Sequence, residues 1–264
     1  MFSKKKVLSF LVILSLVLTT GQVSMAKRKS VVYTAIGDAI AQGVGGEYIS
    51  ETDPLKGYDD YLVEKIQDNS KENVILHNVA GRIDTSSDLL DRLMNDQAVI
   101  DAVSDADIIT VSVGANNLIL PVWPIFEQIF GGTTSYEDGI NEILGMTGAF
   151  ETGVDNFKSD WPKIVARIKE LSPDAQIVAT TMYNPFTLDH PLYDLADTYI
   201  AQINTEIDSL ANKHSYDVAD VYTEFSKFNG MGYNTMIHQD LPDIVHPTPL
   251  GYQKICNQIY NKLY

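Results

Sequence analysis

The sequence is short of several things, and each shortage narrows what the chain does. Cysteine occurs once, at Cys256, so no disulfide forms within the chain. It falls with Ile255 and Ile259 in an apolar helical pattern and reads as a small buried hydrophobe. Basic residues are outnumbered, 19 against 35 acidic, for a net charge of −16. No cluster of Lys and Arg reverses that balance locally, which disfavours nucleic acid and anionic lipid headgroups as partners. His77, His190, His214 and His238 do not fall at metal-ligand spacing, and no His-Glu-x-x-His occurs. The glycine-rich Gly43-Val-Gly-Gly46 lacks the Gly-Lys-Ser/Thr of a phosphate loop and the spacing of a dinucleotide loop. It reads as backbone freedom. No metal and no organic cofactor is implied. Internal repeats, low-complexity tracts and linker-like stretches are absent as well.

Long apolar runs are equally scarce. Val7 to Thr20 is preceded by Lys4, Lys5 and Lys6 and followed by Ser24-Met25-Ala26. A basic start, a short apolar stretch and small residues at the cleavage positions describe a signal peptide over 1–26, cut after Ala26. A retained anchor is the alternative, but the stretch is short for a membrane span. No cysteine stands near its end to take a lipid. The expectation is a secreted, monomeric domain over 27–264 with no stable membrane anchor, more negative than the precursor by the leader's three lysines.

Five apolar, β-rich runs alternate with segments of helical periodicity. The runs are Val31–Ile36, Val74–Val79, Ile108–Val113, Ile177–Met182 and Tyr216–Val221. The segments between them are Tyr58–Asp68, Ser87–Val103, Val154–Leu171 and Leu192–Lys213, and Leu250–Leu263 follows the last run. Near-continuous apolar strands separated by amphipathic helices predict a three-layer αβα domain on a mostly parallel five-stranded sheet. Its site belongs at the carboxyl ends of the strands. Residues 118–152 do not fit the alternation and are long for a connection. With Trp123, Phe126 and Phe130 they suit a lid or the wall of an apolar pocket, or an extra helical turn packed on the core.

Four short stretches then stand at strand ends or before the last helix: Gly37-Asp38-Ala39, Asn78-Val-Ala-Gly81-Arg82, Val113-Gly-Ala-Asn-Asn117 and Asp243-Ile-Val-His246-Pro247. Each is weak alone, since a glycine after a strand is usually a turn. In this order, over 31–251, they resemble the four blocks of the SGNH (GDSL-type) esterases and acylhydrolases. The resemblance implies a flavodoxin-like fold and acyl transfer from an ester, with a small-molecule or lipid acyl ester as partner. By that resemblance position 39 opens a helix and carries the nucleophile. His246 is then the general base and Asp243 its orienting carboxylate. The oxyanion donors are the backbone N–H groups of residue 39 and Gly81 and the side-chain amide of Asn116.

The chain departs from the pattern twice. Asn117 replaces the usual Asp, at a position that is chiefly structural. Ala39 replaces the serine, and a methyl has no lone pair with which to attack a carbonyl. Two readings stay open: an esterase of this type in a form lacking its nucleophile, or a pseudoenzyme that binds an ester, lipid or glycan without turnover. The aromatic residues Trp123, Phe126 and Phe130 lean toward an acyl chain.

Overall fold

The computed structural model describes residues 30–47, 55–229, 232–239 and 243–264. The expected leader over 1–26 and its expected cleavage site lie outside the described residues. Five strands run in parallel: β1 (Ser30–Gly37), β2 (Asn73–Asn78), β3 (Ile108–Ser112), β4 (Gln176–Thr180) and β5 (Asp217–Ala219). Their order is β2-β1-β3-β4-β5. The chain leaves β1 toward β2 on one side and returns to place β3 on the other. A crevice therefore opens where the carboxyl ends of β1 and β3 part, the usual ligand position in such sheets.

The helices are α1 (Tyr58–Ser70), α2 (Ser86–Asn95), α3 (Gln97–Ser104), α4 (Ala115–Ile119), α5 (Trp123–Phe130), α6 (Tyr136–Gly145), α7 (Thr147–Leu171), α8 (Tyr193–His214), α9 (Val221–Ser226) and α10 (Pro249–Leu263). Side chains alternate across each strand with period two, so the sheet feeds two cores. On one face Ile36, Ile109, Val111 and Ile177 pack with Leu89, Trp161, Ile164 and Ile203 of α2, α7 and α8. On the other Tyr33, Ala35, Ile108 and Val178 pack with Leu62 and Ile66 of α1 and Tyr252, Ile255 and Cys256 of α10. Cys256 is buried, and burial pushes its thiol up to about 12. No helix among the described residues is long and apolar enough to cross a membrane.

Three details differ from the sequence expectations. Ser87–Val103 is two helices, because Asp96 leaves helical geometry at ψ 110° and its carboxylate accepts the Ala98 N–H at 3.0 Å to start the second. The helix expected from Val154 begins at Thr147. The turn after Gly37 never becomes a helix. The Gln42 N–H reaches the Asp38 carbonyl at 3.0 Å, but Gly43 and Gly45 take φ of 83° and 87° and stop propagation.

Candidate active site

Gly37 ends β1 at φ 131°, and a Cβ there would lie 1.8 Å from the Ser112 carbonyl oxygen. Only glycine brings β1 this close to the end of β3. The next residue, Asp38, is buried and accepts the Ile40 N–H at 3.0 Å. Burial pushes its carboxyl up to about 7, opposed by the amides of Ile40, Ala115 and Ala41. Ala39 then presents its methyl, 7% exposed, to a cavity. Its N–H has no partner among the described residues.

His246 lines the same cavity. Its Nδ1 lies 3.0 Å from Asp243 Oδ1, which also accepts the His246 backbone N–H at 3.1 Å and that of Val245 at 3.2 Å. Burial would raise the Asp243 carboxyl, but the hydrogen bond and charge of His246 with these amides outweigh it and hold the group at about 2. The surrounding loop is pinned from three sides. The His238 N–H donates to the His246 carbonyl at 3.0 Å, Tyr183 Oη donates to the Val245 carbonyl at 2.6 Å, and a Cβ on Gly45 would meet His246 Cβ at 2.8 Å. With Nδ1 fixed on Asp243, Nε2 is left without a partner among the described residues and is the atom available to a ligand.

The expected oxyanion donors are arranged less openly. The Gly81 N–H continues the parallel ladder beyond β2 and donates to the Gly37 carbonyl at 2.9 Å. The bond has a simple cause, since β2 and β1 stay in register past their last formal pair. Asn116 lines the cavity, but its Nδ2 donates to the carbonyls of Arg82 at 3.2 Å and Asp84 at 3.0 Å. Both of its N–H groups therefore brace the loop after β2. Arg92 braces it too, 2.6 Å from Asp84 and donating to the Val79 carbonyl at 2.8 Å. Of the three expected donors, the Ala39 N–H alone has no partner within the described residues.

Asn117 faces away from the cavity. Its Oδ1 accepts the Ser86 N–H at 2.9 Å, and its Nδ2 donates to Ser86 Oγ at 2.9 Å and the Gly153 carbonyl at 3.2 Å. It ties the start of α2 to α7.

The cavity encloses about 400 Å³, within the usual range for a small-molecule site. Trp123 and Phe126 line it, together with Leu118 and Val122. Phe130 does not; it stacks behind Phe126 with ring centroids 6.0 Å apart. The segment 118–152 is thus a helical wall formed by α4, α5, α6 and the start of α7. The opposite wall was missed by sequence reasoning: Tyr183 and Phe186 after β4, and Leu192, Leu195, Ala196 and Tyr199 along the start of α8. The signal was present, because those last four recur at helical spacing and Tyr183 and Phe186 closely follow a strand's carboxyl end.

A parallel αβα sheet with an aspartate–histidine pair, a tight strand-end turn and an apolar cavity at its switch point defines the esterase and acylhydrolase class of this architecture. The chain belongs to the GDSL-like lipase/acylhydrolase family, whose model matches residues 35–254. It is 25% identical over 238 residues to the uncharacterized protein YpmR of Bacillus subtilis (strain 168), covering 89% of this chain and 82% of that one. It is 23% identical over 231 residues to the spore germination lipase LipC of Bacillus licheniformis, covering 86% and 93%. Among solved structures, the lipase Lip_vut3 from a goat rumen metagenome superposes with a TM-score of 0.67 at 22% identity, covering 89% of this chain and 98% of that one.

Proposed function

We propose that this chain is a secreted GDSL-type acyl-ester site that keeps its general base and acyl pocket but lacks its attacking atom. The observation that carries the reading is the Asp243–His246 pair, 3.0 Å apart, lining the same apolar cavity as the Ala39 methyl. In this reading His246 is the base, Asp243 orients it, and the Ala39 N–H receives the carbonyl oxygen. Asn116 joins as a donor by giving up one loop carbonyl. Gly81 shapes the loop instead of donating. Turnover by the chain as it stands is no more than binding and polarisation supply.

Restoring the hydroxyl tests this. Ala39→Ser is expected to raise hydrolysis of a chromogenic octanoyl ester by at least about 10³-fold, and His246→Ala added to it should remove the gain. A folded Ala39→Ser protein with no gain sinks the proposal. For the secreted form, amino-terminal sequencing of protein from the medium is expected to begin at Lys27.

The pseudoenzyme reading draws support from one further observation. Besides the missing hydroxyl, two of the three expected oxyanion donors are hydrogen-bonded within the protein, through Gly81 to the Gly37 carbonyl and through Asn116 to those of Arg82 and Asp84. Ala39→Ser separates the readings, since a pseudoenzyme with committed donors should stay inert when the hydroxyl returns; assaying the unsubstituted chain tests what they share. Ser112 is the serine of the cavity lining, and hydrolysis that vanished on Ser112→Ala would show an alternative nucleophile and end the non-catalytic account.

A further inference from the structure

The lining of the cavity is uneven in a way that ester hydrolysis does not require. Its interior is aliphatic and aromatic, from Leu118 and Phe126 on one wall to Leu195 and Tyr199 on the other. Its polar lining comes from the carboxyl ends of β1, β3 and β4, through Asp38, the Ala39 N–H, Ser112, Asn116, Thr180 and Thr181, and from His246. The two exposed residues of the lining, Arg82 and Ile83, mark the mouth.

Arg82 differs from the other two described arginines, Arg92 and Arg167, which are both ion-paired, and it is the basic residue of the cavity lining. Acidic residues outnumber basic ones 35 to 19, and Arg92, Arg167, Lys56, Lys163, Lys227 and Lys254 all have carboxylate partners. The Arg82 guanidinium has neither an ion pair nor a hydrogen bond among the described residues. An unpaired guanidinium beside an apolar cavity suits a ligand with an anionic head and an apolar tail. A neutral ester can accept a hydrogen bond from it but gains no charge pairing.

We infer that the chain binds a free single-chain fatty acid, its tail in the cavity and its carboxylate held by Arg82, His246 Nε2 and the Ala39 N–H. The inference rests on the same cleft as the proposed acyl-ester site and names what that cleft holds when no bond is broken. A carboxylate needs donors at the polar end, and with a methyl at position 39 the donor left there is the backbone N–H. Asp38, the acid in the lining, is turned onto the Ile40 amide at 3.0 Å, so one of its oxygens is already engaged by the backbone.

The test is a calorimetric titration of the full chain with acetate, octanoate, laurate and palmitate, beside the methyl esters of the last three. Affinity is expected to rise about fourfold per added methylene until the tail fills the cavity, with acetate not bound measurably. Arg82→Gln should weaken laurate at least about tenfold and leave methyl laurate within about twofold. Ala196→Trp, which places an indole in the cavity, should weaken both equally; if that protein does not fold, Leu195→Phe serves in its place. Binding independent of chain length, or an Arg82→Gln effect equal on acid and ester, overturns the inference. Failure here stays distinct from failure of the ester site. Gain of hydrolysis in Ala39→Ser without fatty-acid binding by the unsubstituted chain leaves the ester site standing and removes this inference. Chain-length-dependent binding with an inert Ala39→Ser protein does the reverse.

Discussion

At its polar end the cleft holds Asp243 and His246 3.0 Å apart but offers them the Ala39 methyl, whereas the apolar side chains wall in the rest of a cavity of about 400 Å³. The two ends depend on different kinds of information. Acyl transfer needs one oxygen at one place, so a single substitution removes it. Tail binding needs area, which many side chains supply together, so no single one of them decides it. On the proposed reading, loss of the attack leaves the binding half intact, and the two halves can be broken separately.

The largest effect on stability is expected from Gly37→Ala. The added Cβ would lie 1.8 Å from the Ser112 carbonyl, on a backbone at φ 131°, and neither β1 nor β3 can move without disturbing the sheet. A loss on the order of 4 kcal/mol or more is expected by urea denaturation. An Ala variant of near-normal stability would mean that the strand ends are looser than this packing implies. The apolar end should respond differently. Phe126→Ala removes a ring that is 4% exposed and stacked on Phe130, at a cost of about 3 kcal/mol because one side of the ring already faces empty space. In an Ala39→Ser background it should shift the preferred ester toward longer chains while leaving activity on a butanoyl ester nearly unchanged. Equal loss on both esters would show that the two ends are coupled.

A smaller effect separates packing from chemistry at Asn117, where the family's usual residue is Asp. The site uses both functions of the amide, since Oδ1 accepts from the Ser86 N–H and Nδ2 donates to Ser86 Oγ and the Gly153 carbonyl. Asn117→Asp would set a carboxylate oxygen against a carbonyl oxygen, and a loss of about 1–3 kcal/mol is expected at neutral pH. Ala39→Ser activity measured well below the denaturation midpoint should hardly change, because the residue faces away from the cavity. Lost activity without lost stability would place Asn117 in the site after all.

How much of this was legible in the sequence follows from what each feature depends on. The five strands and their alternation with helices were readable because Val31–Ile36 and Ile108–Val113 are apolar on both faces, and only a sheet covered on both sides needs that. Asp243 and His246 were readable because the pair is local, three residues apart. The state of the oxyanion donors was not. Whether Gly81 is open or bonded depends on β2 staying in register with β1, and Asn116 is held by carbonyls some thirty residues away; neither leaves a trace in spacing. The break at Asp96 was hidden for the opposite reason, because helical periodicity runs through it. Half the pocket wall was overlooked because Leu192, Leu195, Ala196 and Tyr199 look like any core-facing helix stripe, and only the tertiary structure shows that they face a cavity.

The effects of pH divide along the same line. Asp243 is held at about 2 in the folded chain, below its unfolded value near 4. Its contribution to stability is present above pH 4 and is lost as pH falls from about 4 to about 2. Asp38 and Asp59 are the reverse. Burial raises both to about 7, with the Asp60 charge adding to the rise at Asp59 and the Asn78 amide, 2.7 Å from Asp59, opposing it. Between pH 4 and 7 the folded state binds more protons than the unfolded one, so these two groups cost stability as pH rises through that window. Stability is therefore expected to peak near pH 4 to 5 as far as these three groups decide it. Asp59→Asn keeps an acceptor for Asn78 and removes one of the two protons, so urea midpoints measured at pH 5 and pH 7 should lie closer together than in the unsubstituted chain. Asp243→Asn should leave that difference alone and flatten the acid limb instead. If Asp59→Asn left the interval from pH 5 to 7 unchanged, the Asp59 carboxyl would be ionised throughout, and the fall in stability would have to come from Asp38 at the cavity itself.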